Sequence, residues 1–119
     1  VKYLIMIQMN PSARAMWDGM TEDQHAEGYQ IHKDMVSRLE ASGELVVSEA
    51  LADVSLSKRL HVKDGVVTTT DGPYAEVKEY LAGFYLVDCE NIDRAIEHAA
   101  RLPEAALGLV EVRPVMELP

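Results

Sequence analysis

Residues 81–115 read LAGFYLVDCENIDRAIEHAARLPEAALGLVEVRPV, and the order of signals within them decides the fold. The opening LAGFYLV is a short apolar run rich in Phe, Tyr and Val, the side chains that suit a pleated sheet. Asn91 then supplies a helix start, and Ile92, Ala95, Ile96, Ala99 and Leu102 share one helical face until Pro103, which has no N–H to continue it. In LGLVEVRPV, Val110 and Val112 alternate with Glu111 and Arg113, the period of a half-buried strand. The stretch is strand, helix, strand.

The same order recurs upstream. Residues 2–9 are rich in Tyr, Ile, Leu and Met with no charge after Lys2, which predicts a buried strand ended by NPSA. A helix is expected from Thr21 to Ser42, opened by Thr21 with Glu22 and Asp23 in its first turn and closed by Gly43. Tyr29, His32, Val36 and Leu39 follow the spacing of one stripe on it. Met16 and Trp17 fall in the loop before this helix, where burial against the body or cover of a pocket mouth are the two readings. ELVVSEAL, at 44–51, is the next strand. KRLHV and VVTTT then flank Asp64–Gly65, the strongest two-residue signal for a hairpin. With the hairpin set aside, two β-α-β units remain. That is an α+β, ferredoxin-like split βαβ arrangement: one domain over residues 1–119, with an antiparallel sheet and both helices on one face. A chain of this length has no third layer for the other face, so a homodimer packed sheet to sheet is expected.

Charge narrows the partners. Eleven Lys and Arg against 20 Asp and Glu give a net charge of -9, which repels nucleic acid and anionic membrane surfaces. A small apolar or weakly polar molecule, or a cationic protein patch, suits the chain better. The lone cysteine, Cys89, closes no disulfide within the chain, which fits a reducing cytoplasm. VKYLIMIQM is too short for a membrane span and has no small-residue cleavage site after it, so it reads as a strand. No spaced ligand set for a metal and no Gly-rich phosphate loop is present, leaving chemistry without a cofactor. His25 lies two helical turns from His32, too far to share one ion directly. His61 and His98 read as solvated or capping residues.

Several residues around 71–85 carry candidate roles. Asp71-Gly72-Pro73 is turn chemistry. If the following segment is extended, Glu76 and Lys78 fall on one side as an opposite-charge pair. Lys78 would hold a substrate carbonyl or carboxylate while Glu76 orients it or moves a proton. The alternative is a salt bridge worth roughly 0–1 kcal/mol. Gly83 marks a place where another backbone, a ring or a ligand comes close, and Phe84 and Tyr85 point to opposite faces.

DGPYAEVKEYLAGFYLVD at 71–88, AIEHAARLP at 95–103 and EVRPV at 111–115 closely resemble the DGPF-domain branch of the YCII-related superfamily, with support from the KYLIMI opening and residues 43–51. The chain has Tyr74 where that branch usually has Phe, which adds a hydroxyl. The resemblance implies a dimeric α+β barrel. It also implies that a histidine eleven residues before the glycine closing the first helix, here His32, pairs with an aspartate as an acid–base dyad. Burial beside Tyr29 and Val36 together with a carboxylate would poise such an imidazole for proton transfer. Asp53 is the aspartate nearest the implied position, with Glu49 as rival. Asp71, Tyr74, Glu76 and Lys78 complete the candidate site as substrate-binding residues. Two functions follow: a cofactor-independent lyase or isomerase, dehydrochlorinase-like, acting on a small cyclic metabolite; or a non-catalytic ligand-binding or regulatory partner, for example of an extracytoplasmic-function sigma factor.

Overall fold

The computed structural model describes residues 1–73 and 77–119. β1 (Lys2–Met9) is followed by α1 (Pro11–Asp18), α2 (Glu22–Ala41) and β2 (Leu45–Ala50). An outlying pair, β3 (Lys58–Lys63) and β4 (Val66–Asp71), precedes β5 (Tyr80–Asp88), α3 (Ile92–Ala99) and β6 (Val110–Pro114). Short 3-10 turns cover Val54–Leu56 and Pro103–Leu107.

The main sheet has the strand order β2-β5-β1-β6 with every neighbouring pair antiparallel. This is the order of a split βαβ sheet, compatible with the ferredoxin-like expectation. Alternation along β1 sends Tyr3, Ile5 and Ile7 to the helix side, where they join Met35 and Leu39 of α2, Ala95 and Ala99 of α3, and Tyr85 and Val87 of β5. Ile5, Met35, Leu39 and Val87 are fully enclosed, each worth about 1.5–3 kcal/mol relative to exposure. On the opposite face, Leu4 stands across from Leu86 and Met6 across from Phe84. These four are only half-buried, so the far side of the sheet has a partly exposed apolar centre, with Glu111 and Arg113 of β6 beside it.

Local chemistry explains the helix limits. Thr21 accepts from the Gln24 backbone N–H while the Gln24 side chain accepts from the Thr21 N–H, a reciprocal cap that starts α2. Gly43 ends it with φ of +76°. The buried stripe differs in detail from the expected one. Met35 and Leu39 are enclosed, Val36 flanks them, and Tyr29 is 58% exposed.

α1 was not expected, because residues 10–20 read as a loop. Its start is built by Asn10, whose Oδ1 accepts from the Ala13 N–H at 2.8 Å, and by Pro11 in the first turn.

Gly83 is set by a close neighbouring backbone. A Cβ there would meet the Glu49 carbonyl oxygen at 3.0 Å, beside an irregularity that shifts the β1–β5 register between Ile7 and Gln8. The β3–β4 hairpin turns at Asp64–Gly65 with φ of +51° and +76°, the left-handed pair expected of an Asp-Gly hairpin turn. Among the described residues, no helix is long and apolar enough to cross a membrane.

Candidate active site

A cavity of about 930 Å³ opens between α1, the first half of α2, the Ser48–Leu51 end of β2 and the Pro103–Leu107 turn. Its walls are mainly apolar, with Met9, Trp17, Met20, Leu51, Leu107 and Leu109 among them. At the mouth α1 is fastened to α2. The Trp17 ring stacks on His25 with centroids 4.2 Å apart and meets Tyr29 edge-on at 5.4 Å. His25 Nε2 donates to the Trp17 carbonyl at 2.6 Å. Gly28 makes this approach possible, since a Cβ there would lie 3.0 Å from the indole.

His32, Tyr85 and Glu104 bring the polar groups together on the cavity wall. His32 Nε2 lies 2.7 Å from Glu104 Oε1 and 3.1 Å from Oε2, and Nδ1 lies 2.6 Å from the Tyr85 hydroxyl. A carboxylate accepts only, so Nε2 carries the proton and donates to Glu104, while the Tyr85 O–H donates to Nδ1. The arrangement also accommodates a second proton on the ring. Nδ1–H would then donate to the Tyr85 oxygen, and the Tyr85 O–H can turn to the His32 carbonyl, 3.4 Å away. Burial, then the negative charge of Glu104, push the Tyr85 phenol up to about 12, with Arg38 partly opposing them. Tyr85 therefore stays protonated. The His32 side chain is 30% exposed and that of Glu104 14%, so both reach the cavity, whereas Tyr85 is enclosed behind them.

The structure meets the other candidates differently. Asp53 does not take His32. Its carboxylate caps the 3-10 turn through the Ser55 N–H at 2.9 Å and pairs with Arg14 at 3.0 Å, and those bonds hold its pKa below the ordinary value. Glu49, the rival, lines the cavity, but the carboxylate bonded to His32 is Glu104. Asp71 ends β4 and accepts from Lys58 across the hairpin. Lys78 is exposed, and neither it nor Asp71 lines the cavity. Tyr74 and Glu76 lie outside the described residues. Glu104 stands 72 residues from His32 in sequence with no spacing that marks it; the only local hint is an acidic residue directly after a helix-ending proline.

His98 corrects a second expectation. It is buried, not solvated, at 4% exposure, and its Nε2 lies 3.0 Å from Glu44 Oε1. Arg94 donates to both oxygens of Glu44 at 3.0 and 3.2 Å. Hydrogen bonding, from Arg94 first, lowers the Glu44 carboxyl to about 2. Burial, and then Glu44, push the Cys89 thiol up to about 11. The donor atoms of Glu44, Cys89 and His98 lie within 4.8 Å of one another, a set with ligand chemistry that sequence spacing did not disclose. Arg94 already occupies Glu44 and would oppose an added cation there, so the cluster works as a polar clasp between the start of β2, the end of β5 and α3.

Comparison with known proteins agrees with this architecture. The model of the YCII-related domain matches residues 1–119, the whole length. A curated relative, the uncharacterized protein R00369 of Rhizobium meliloti (strain 1021), is 38% identical over 76 residues, covering 62% of this chain. The matched stretch spans 61% of that relative's length.

Proposed function

The chain belongs to the YCII-related family, and from that premise we propose that it is a cofactor-independent acid–base enzyme, a lyase or isomerase for a small, largely apolar cyclic metabolite. The observation that carries this reading is the His32 imidazole held on both nitrogens, by Glu104 and Tyr85, at the wall of an apolar cavity. Apolar walls suit a ring-bearing ligand, and a small convergent polar group fixes its orientation.

In this reading Glu104 is the acting base. Both His32 nitrogens are engaged, whereas a carboxylate has more acceptor sites than one N–H fills, and Glu104 lines the cavity. Glu104 takes a proton from an acidic C–H, His32 holds the carboxylate in place, and Tyr85 holds His32. The C–H electron pair then forms a C=C bond. In an elimination the leaving group departs with its own electron pair; in an isomerisation an existing C=C or C=O of the ring gives up its π pair, which takes the proton back from Glu104 at the far atom. A homodimer packed through the Leu4, Met6, Phe84 and Leu86 face completes the proposal, because these four apolar side chains are only half-buried in one copy.

The test is proton exchange in D₂O across a panel of cyclic carbon acids followed by NMR. Wild type should exchange at least one member, and Glu104→Gln should lose about 10²–10⁴-fold of that rate. The second reading, a binding or regulatory protein, is favoured by the fact that His32 has both nitrogens engaged by protein groups, Glu104 and Tyr85. Saturable quenching of Trp17 by a panel member, with no exchange in any of them, would select it.

A further inference from the structure

We infer that the ligand is a ring bearing a carbonyl next to its acidic C–H, and that the Ser48 hydroxyl holds the carbonyl oxygen. The inference rests on the acid–base reading above, and its test separates the two.

The chemistry asks for such a pair. A carboxylate takes a proton from carbon only where the electron pair left behind can spread onto an electronegative atom, and a carbonyl beside the C–H provides one. The oxygen then gathers negative charge and needs a donor already in place. Most polar groups of the cavity are engaged or at its rim. The Tyr85 O–H goes to His32 Nδ1, and the His32 Nε2–H to Glu104. Arg14 pairs with Asp18 and Asp53. Gln24, Tyr29 and Lys33 line the cavity from exposed positions.

Ser48 is different. In the β2–β5 ladder it stands directly across from Tyr85, and Ala50 stands across from Gly83. Residues opposite each other in an antiparallel pair share a face, with Cβ atoms about 4.5–5.5 Å apart. Tyr85 belongs to the helix side of the sheet, so Ser48 faces that side too. It lines the cavity and is half-buried, and among the described residues its hydroxyl has no hydrogen-bond partner. Next to it the floor is small and apolar: Ala50 and Gly83, with Ile7 across from Gly83 on β1. A ring laid on that floor brings a carbonyl oxygen to Ser48. Glu104 accepts the proton from carbon, the C–H pair becomes C=C, and the C=O π pair moves to oxygen, where the Ser48 O–H donates to it. Reprotonation at carbon, or loss of a leaving group from the next carbon, restores the C=O.

The test uses matched pairs that differ only at the oxygen: cyclohexanone against methylenecyclohexane, and a decalone against its methylene isostere. Binding is followed at the indole N–H resonance of Trp17, the sole tryptophan, and exchange of the ring C–H in D₂O by NMR. Wild type should bind a ketone more tightly than its isostere. Ser48→Ala should remove that preference, a loss of about 2–10-fold in ketone affinity, and lower kcat for exchange about 10²–10³-fold. Ser48→Thr, which keeps a hydroxyl and suits a strand, should restore part of both. An equal preference in wild type and Ser48→Ala, or no preference in wild type, overturns the role of Ser48; if Glu104→Gln still lowers exchange, the acid–base reading stands. A preference lost in Ser48→Ala with no exchange in wild type overturns the acid–base reading and keeps Ser48 as the contact to the ligand's oxygen.

Discussion

Two histidine–glutamate pairs sit in one small domain, and their surroundings give them opposite work. His32–Glu104 closes at 2.7 Å and His98–Glu44 at 3.0 Å. The His98 side chain is 5% exposed against 30% for His32. Glu44 also receives a two-pronged guanidinium from Arg94, whereas the ion pair of Glu104 among the described residues is with His32 alone. A carboxylate saturated by Arg holds elements together. One held only through an imidazole, facing a hollow, is available to a ligand. The pair alone does not make a site; the third partner and the access decide.

Exchanging the perturbations would break or sharpen that contrast. The largest effect is expected from Glu104→Gln in activity, the 10²–10⁴-fold loss stated above, with thermal unfolding close to wild type. Glu44→Ala should act first on stability, costing about 3–5 kcal/mol in denaturant unfolding, because Arg94 and His98 lose their shared acceptor. If both variants lowered stability equally and left exchange intact, the contrast would fail.

The next effect is in pH. Glu44 has its carboxyl lowered from 4.5 to about 2, so its contribution to stability is fully present above pH 4.5 and is lost as pH falls toward and through 2. Acid unfolding should steepen in that window for wild type and flatten in Glu44→Gln. A smaller effect is expected of Tyr85→Phe, which leaves Nδ1 of His32 without its donor and should cost about 1–3 kcal/mol. Nitrogen NMR should show the Nε2–H tautomer of His32 in wild type and a mixture in the variant. The smallest is Gly28→Ala. Helix propensity favours it by up to about 1 kcal/mol, and contact with Trp17 opposes it, so stability should change little while the Trp17 emission shifts.

Much of the frame was legible because it is encoded locally. Thr21 with Glu22 and Asp23, Gly43, Asn91, Pro103 and Asp64–Gly65 are start, stop and turn signals that act within a few residues, and the two β-α-β halves follow from them. Asn10–Pro11 was equally local and marked α1, but the apolar residues after it are too few to show a stripe. The site was legible only by half. His32 shows on the helix, whereas Glu104 reaches it through tertiary packing. Asp53, the nearer acid in the pattern, is taken by Arg14 and the Ser55 backbone. Arg94 and His98 stood one turn apart on α3, a spacing that puts both on the same side, yet their common acceptor lies 50 and 54 residues away.

α3 links the two clusters mechanically. Arg94 and His98 fasten it to Glu44, and the turn that leaves it carries Glu104 to His32. The helix is thus a lever, clamped along its length and bearing the Glu104 carboxylate just past its end. Loosening the clamp would leave His32, Tyr85 and Glu104 in the chain but blur where Glu104 rests, so a substitution at the buried cluster should also slow the proposed proton exchange, by less than Glu104→Gln does.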